Sequence, residues 1–178
     1  MFNASKQLFR VLALPILTIP LILSSCLKEV EYNVVGEWVV FPKMVKVLII
    51  DDQNIDEQTE LTIKTSKEAA EEELRKLERI IFHPKDPSSE TGVVEFYYAD
   101  NTNPTEHLSG TYQQTGAYFT IWNSTFPDGI LGLCNNHELE IYYPREYIQR
   151  ILLNKGLDMQ IIVNFLDLMG VGHYLRSE

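Results

Sequence analysis

Two cysteines carry the most reactive side chains of this 178-residue chain, and their neighbours suggest different chemistry. Cys134 heads the run Cys134-Asn135-Asn136-His137-Glu138, in which a thiol, an imidazole and a carboxylate come within reach of one ion. A zinc site takes three or four such ligands, and no second pair lies nearby. The segment therefore reads as a turn holding a small buried cysteine. Asp51-Asp52-Gln53-Asn54-Ile55-Asp56-Glu57 gathers the oxygen ligands that hard cations take. It lacks the glycine and the distal glutamate of a calcium loop, and reads as a solvated acidic loop. The sequence holds no Gly-x-Ser-x-Gly elbow, no glycine-rich phosphate loop and no His-Glu-x-x-His helix. His83, His107 and His173 are isolated in sequence. These patterns imply binding rather than catalysis, with no catalytic residues, metal site or cofactor.

Cys26 closes a segment of another kind. Lys6 and Arg10 precede an apolar run from Val11 to Leu23, followed by Ser24-Ser25-Cys26. That is the order of an export signal: a cationic start, an apolar stretch, then small residues at a cleavage point. The run has 13 residues, is interrupted by Pro15 and Pro20, and falls short of the ~20 that a spanning helix needs. Leu23-Ser24-Ser25-Cys26 resembles the lipobox of bacterial lipoproteins. The resemblance implies removal of residues 1–25 and acyl chains on Cys26. Each buried methylene adds ~0.8 kcal/mol, so several chains hold a soluble domain at a membrane. Residues 26–33 would form the lipidated tether. Lys28, Glu29 and Glu31 faintly resemble charged signals that send some Bacteroidetes lipoproteins to the cell surface, although a charged linker is the commoner meaning. The expected location is the cell envelope, at the outer membrane, facing either the periplasm or the exterior.

What remains is one domain, 34–178. The chain's formal charge of −10 becomes −12 without Lys6 and Arg10, because the first 25 residues hold no acidic group. Such a surface repels phosphate backbones, which excludes nucleic acid as a partner. Cys134 has no internal partner once Cys26 is acylated, so packing must hold the fold.

Period-two alternation marks the strands. It appears in Val34–Phe41, Glu60–Lys64, Val93–Tyr98, His107–Gln113, Ala117–Asn123 and Glu138–Tyr143, and Met44–Ile50 is more uniformly apolar. Gln114-Thr115-Gly116 turns the clearest hairpin. Thr65-Ser66-Lys67-Glu68 reads as a capping box for a helix running to Ile81. Its apolar stripe would be Ala70, Leu74, Leu77 and Ile81, with Glu71, Glu72, Arg75 and Lys76 in solvent. Pro144 opens a second helix with the stripe Tyr147, Ile148, Ile151 and Leu152, ended by Asn154-Lys155-Gly156. Asp158 fits the cap of a third helix ending at Gly170, although Ile161-Ile162-Val163 favours a strand. A short last strand then covers His173–Arg176.

Several segments resemble the lipocalin-like lipoproteins of Bacteroidetes, a calycin-type β-barrel group. They are Gly36-Glu37-Trp38, Ile80-Ile81-Phe82 with Gly92 to Tyr98, Gly110-Thr111-Tyr112 with Phe119-Thr120-Ile121, and Glu140-Ile141-Tyr142-Tyr143. The resemblance implies a mainly β fold with added helices: a lipocalin-like antiparallel β-barrel or a strongly curved sheet. It also implies that Trp38 closes one barrel end beneath a stacked arginine, for which Arg176 is the late-strand candidate. The inserted helices depart from the group and could plug or cover a ligand cup. Candidate barrel-lining or ligand-contacting residues are Trp38, Phe96, Tyr98, Tyr118, Phe119 and Trp122. Tyr118 and Trp122 share one strand face and Phe119 takes the other, and parity does not say which is inside. The leading expectation is a membrane-anchored lipoprotein that binds a small apolar ligand. The runner-up is an interaction or structural lipoprotein with a filled barrel, its protein partner unknown.

Overall fold

The computed structural model describes residues 32–50, 56–99 and 108–177. The export segment, Cys26 and most of the tether lie outside them, as do Asp51–Ile55 of the acidic loop and His107. Compact packing begins at Tyr32.

The first strand, β1 (Gly36–Val40), runs through a short turn at Pro42–Met44 into β2 (Lys46–Ile50). A helix, α1 (Glu57–Arg75), then leads to β3 (Leu77–Pro84), β4 (Thr91–Tyr98), β5 (Leu108–Thr115), β6 (Tyr118–Trp122), β7 (Ile130–Cys134) and β8 (Glu138–Tyr143). Helix α2 (Arg145–Asn154), the single turn α3 (Met159–Ile162) and the long strand β9 (Asp167–Arg176) complete the domain. The strands pair in the order β1-β3-β4-β5-β6-β7-β8-β9, and β9 returns to β1 through Trp38 opposite Arg176. The result is a closed eight-stranded antiparallel barrel with one additional strand. Closure leaves few unpaired edges. Strand β2 pairs with the first half of β9, Lys46 opposite Val171 and Ile50 opposite Asp167, so β1 and β2 act as one strand interrupted at the turn.

Helix α1 corrects the sequence reading at both ends. Residues Glu60–Lys64 are helical rather than a strand, and the cap is Asp56, whose carboxylate accepts from the Thr59 amide at 2.9 Å. Thr65 lies inside the helix and donates to the Leu61 carbonyl at 2.9 Å. Glu57 and Glu60 in the first turn suit the helix dipole. The alternating Leu61 and Ile63 mislead because a short apolar run fits either period. At the other end the chain becomes β3 after Arg75. A bulge between Leu77 and Arg79 puts Leu77 and Ile80 on the same, inner side. Their spacing of three therefore mimics a helical stripe.

Glu71 is buried, not solvated. Its carboxylate accepts from the Val47 amide at 3.1 Å and pairs with the Arg75 guanidinium at 3.1 Å. Arg75 also donates to the Pro42 carbonyl at 2.9 Å. Among the described residues β2 has a neighbouring strand on one side only, so this carboxylate supplies the acceptor that a further strand would have supplied.

Helix α2 follows Pro144 and buries Ile148, Ile151 and Leu152. Asp158 caps α3 through the Gln160 amide, but that helix lasts four residues, and β9 begins at Asp167 rather than His173. Gly170 is a strand residue instead of a helix stop. A Cβ there would lie 2.6 Å from Ile148 Cδ1 and 3.0 Å from Leu74 Cδ1, so the missing side chain is where both helices settle on the barrel.

Candidate functional site

The two barrel ends are built differently. One is sealed by Trp38, which is completely buried and donates from its indole to the Val34 carbonyl at 2.7 Å. The Arg176 guanidinium lies 4.4 Å from the Trp38 ring. It also donates to the Asn33 carbonyl, to Val35 at 2.8 Å and to Asn136 at 2.8 Å. Gly36 sits at φ +124°, and a Cβ there would stand 3.0 Å from the arginine, which explains the glycine two residues before the tryptophan. Gln114 holds the entering chain through the Val34 amide and the Tyr32 carbonyl. Cys134 packs beside Gln114, and burial pushes its thiol up to about 11. It is therefore a neutral thiol near pH 7 and a poor nucleophile. Asn135 accepts from the His137 and Glu138 amides, as expected of a turn. Among the described residues no three His, Cys, Asp or Glu side chains group to hold a metal.

Above this seal the lumen is packed. Phe82 meets Tyr112 edge-on at 5.1 Å and Phe119 at 5.5 Å. Phe119 points inward because Gly132 lies opposite it: a Cβ at Gly132 would fall 2.1 Å from the Phe119 ring. Phe96 is also buried in the interior. The same register settles the face that parity leaves open for Tyr118 and Trp122. They face outward, Tyr118 with 57% of its surface exposed and Trp122 packed on Gly129. The Tyr112 hydroxyl is buried without a hydrogen-bond partner among the described residues.

The other end is the mouth, where β3 and β5 begin and β4, β6 and β8 end. Helices α1 and α2 roof it, joined by an ion pair from Lys155 to Glu73 at 2.8 Å. That contact holds the Glu73 carboxyl below its ordinary value, with Lys76 adding to the effect. Under the roof, Tyr143 stacks on Tyr147 at 5.4 Å, Phe126 packs on Tyr147 at 4.9 Å, and the Tyr143 and Tyr174 hydroxyls share a hydrogen bond of 3.1 Å. Burial raises the Tyr98, Tyr143, Tyr147 and Tyr174 phenols above their ordinary value, so all four are neutral donors at neutral pH. Tyr98 stands at the rim of a cleft of about 400 Å³, walled by Leu108, Tyr147 and Ile151, with Arg150 and the Glu73–Lys155 pair at its polar side. A smaller cleft of about 250 Å³ lies across Tyr147 and Arg150, against Asp128 and Glu146.

Of the six candidates the structure thus brings Tyr98 to the cleft at the mouth, and Trp122 to a separate, shallower cleft of about 470 Å³ on the outer wall beside His83, Val93 and Thr111. Trp38, Phe96 and Phe119 are interior packing, and Tyr118 and Trp122 belong to the outer wall. Tyr147 and Arg150 complete the site from α2. The helical stripe identified Tyr147 as a packing residue, while nothing in the sequence marked Arg150.

Fold and site together define a lipocalin-like antiparallel barrel whose interior holds the packed rings of Phe82, Tyr112 and Phe119 and whose mouth is roofed by two helices. Comparison with protein families, with curated proteins and with solved structures finds no match for this chain. Among the described residues no helix is long and apolar enough to cross a membrane.

Proposed function

We propose that this chain is an envelope lipoprotein of the lipocalin-like kind, tethered through acyl chains on Cys26, that binds a small, largely apolar ligand at the barrel mouth. The supporting observation is the cleft of about 400 Å³ between Tyr98 and α2. Its size falls in the range of about 300–1,000 Å³ usual for small-molecule sites, and its wall combines apolar surface with a few polar groups. The seat differs from a lipocalin cup because Phe82, Tyr112 and Phe119 already occupy the lumen. A mouth site still uses the barrel as a rigid frame, with tyrosines offering flat apolar faces and hydroxyl donors.

A second reading is an interaction lipoprotein working through its outer wall. Its support is a stripe across β6, β7 and β8 in which Tyr118 lies opposite Leu133 and Leu131 opposite Tyr142. Tyr118 and Leu131 are 57% and 48% exposed.

Native mass spectrometry of the protein taken from the membranes of its own cells tests the first reading. The expected species begins at Cys26, carries acyl mass and retains a small molecule. The Thr125→Trp variant, which fills the cleft from its rim, should lose that molecule. An intact Met1 without acyl mass would overturn the anchor. A molecule retained at full occupancy by the variant would move the ligand out of the cleft.

A further inference from the structure

The mouth cleft has a charge pattern that its apolar wall does not require. Among the described residues three charged side chains line it: Glu73, Lys155 and Arg150. Glu73 and Lys155 neutralise each other at 2.8 Å, with Lys76 also 3.5 Å from Glu73. Arg150 has no ion pair with any described residue. Its guanidinium instead lies 5.2 Å from the centre of the Tyr147 ring. Among the described residues the lining of this cleft therefore carries one positive charge more than negative, within a chain whose formal charge is −10.

Position strengthens the contrast. Arg150 borders both clefts, but the smaller one also presents Asp128 and Glu146, which make its lining net negative. Among the described residues the lining on the Tyr98 side of α2 is thus the more favourable of the two for an anion. A guanidinium held on an aromatic ring can still present its N–H edge to an acceptor. A planar carboxylate can accept two parallel hydrogen bonds from such an edge. Leu108, Ile151 and the tyrosine rings offer apolar contact within the same cleft.

We infer that the cleft selects monoanionic ligands, a carboxylate on a compact apolar body, and that Arg150 is the residue that reads the charge. The inference rests on the cleft being a ligand seat and adds the ligand's chemical class. Tyr147 is a positioning residue here, holding the guanidinium over its ring.

Equilibrium dialysis of the full chain in non-ionic micelles, with empty micelles subtracted, tests the assignment using two probes of nearly the same shape. They are 2-naphthoate, which is charged, and 2-naphthamide, which is not. The wild type should hold naphthoate at least about tenfold more tightly, the size expected for a hydrogen bond to a charged group. Arg150→Met should remove that preference, so that the variant holds naphthoate no more tightly than naphthamide, and Arg150→Lys should restore part of it. Equal binding of both probes by the wild type would overturn the charge assignment and leave the cleft reading standing. A naphthoate preference that survives in Arg150→Met would also overturn it. If neither probe binds the wild type, the cleft reading itself falls.

Discussion

At the sealed end of the barrel, every side-chain nitrogen of Trp38 and Arg176 has a protein partner, and the guanidinium lies over the ring. At the mouth, Arg150 also lies over an aromatic ring, but its hydrogen-bonding edge has no carboxylate or carbonyl partner among the described residues. The same pair of residue types therefore serves two purposes. A guanidinium with its donors satisfied by Asn33, Val35 and Asn136 locks three chain segments together. One whose donors have no partner among the described residues is available to a ligand. Hydrogen-bond completion, rather than the presence of an arginine on an aromatic ring, separates structure from recognition.

The largest expected effect falls on the sealed end. Trp38→Ala removes a fully buried indole and leaves Arg176 without its stacking surface. A loss of about 3–5 kcal/mol in unfolding free energy is expected from denaturant titration. Because the lumen separates the two ends, naphthoate affinity should hold wherever the variant remains folded. A stability unchanged within error would show that the seal contributes only geometry. An affinity that falls in step with stability would show that the two ends are energetically coupled.

Next in size is the roof. Gly170→Val places a side chain where Ile148 and Leu74 meet β9, and the clash lies with packed side chains from two helices. Overpacking of this kind costs typically 1–3 kcal/mol. The sharper readout is the cleft, because displacing α2 moves Tyr147 and Arg150 away from Tyr98 together. Naphthoate affinity should drop in this variant, in contrast to Trp38→Ala. If stability falls while probe binding is kept, α2 is not what positions the site.

The two ends also differ in how far sequence reveals them. Gly36 and Trp38 are two residues apart, and each constraint is local: a positive φ beside the arginine and a large ring at the strand start. Arg176 follows once a last strand is placed. The mouth draws on Tyr98, Leu108, Tyr147 and Arg150 from three separate segments, and no spacing in the chain encodes their approach. Strand parity divides Tyr118 and Trp122 from Phe119, but only the register against Gly132 shows that Phe119 is the inner one. Helix α1 is obscured for a local reason, since a bulge at Leu77 gives a strand the spacing of a helix. Glu71 is the instructive error. On a helical wheel it belongs with Glu72 and Arg75 in solvent, and only a strand edge needing an acceptor draws it inside.

The smallest expected effect distinguishes a roof fixed by packing from one fixed by charge. Glu73 is held below its ordinary value of 4.5, first by its hydrogen bond with Lys155. A carboxylate with a lowered folded value contributes stability that is present above the unfolded value and is lost as pH falls through the folded one. The roof should therefore loosen only below about pH 4.5, the unfolded value of this carboxyl. Both partners are about a third exposed, so solvent screening keeps the contribution small. Lys155→Met should erase the part of the acid sensitivity that belongs to this pair, read as hydrogen exchange of the α2 amides between pH 3 and 6. If exchange in the variant retains the wild-type pH profile, Ile148 and Leu152 hold the roof without help from the ion pair. The Arg150 edge would then owe its position to packing alone, and probe binding should persist down to the pH at which the carboxylate probe itself takes up a proton.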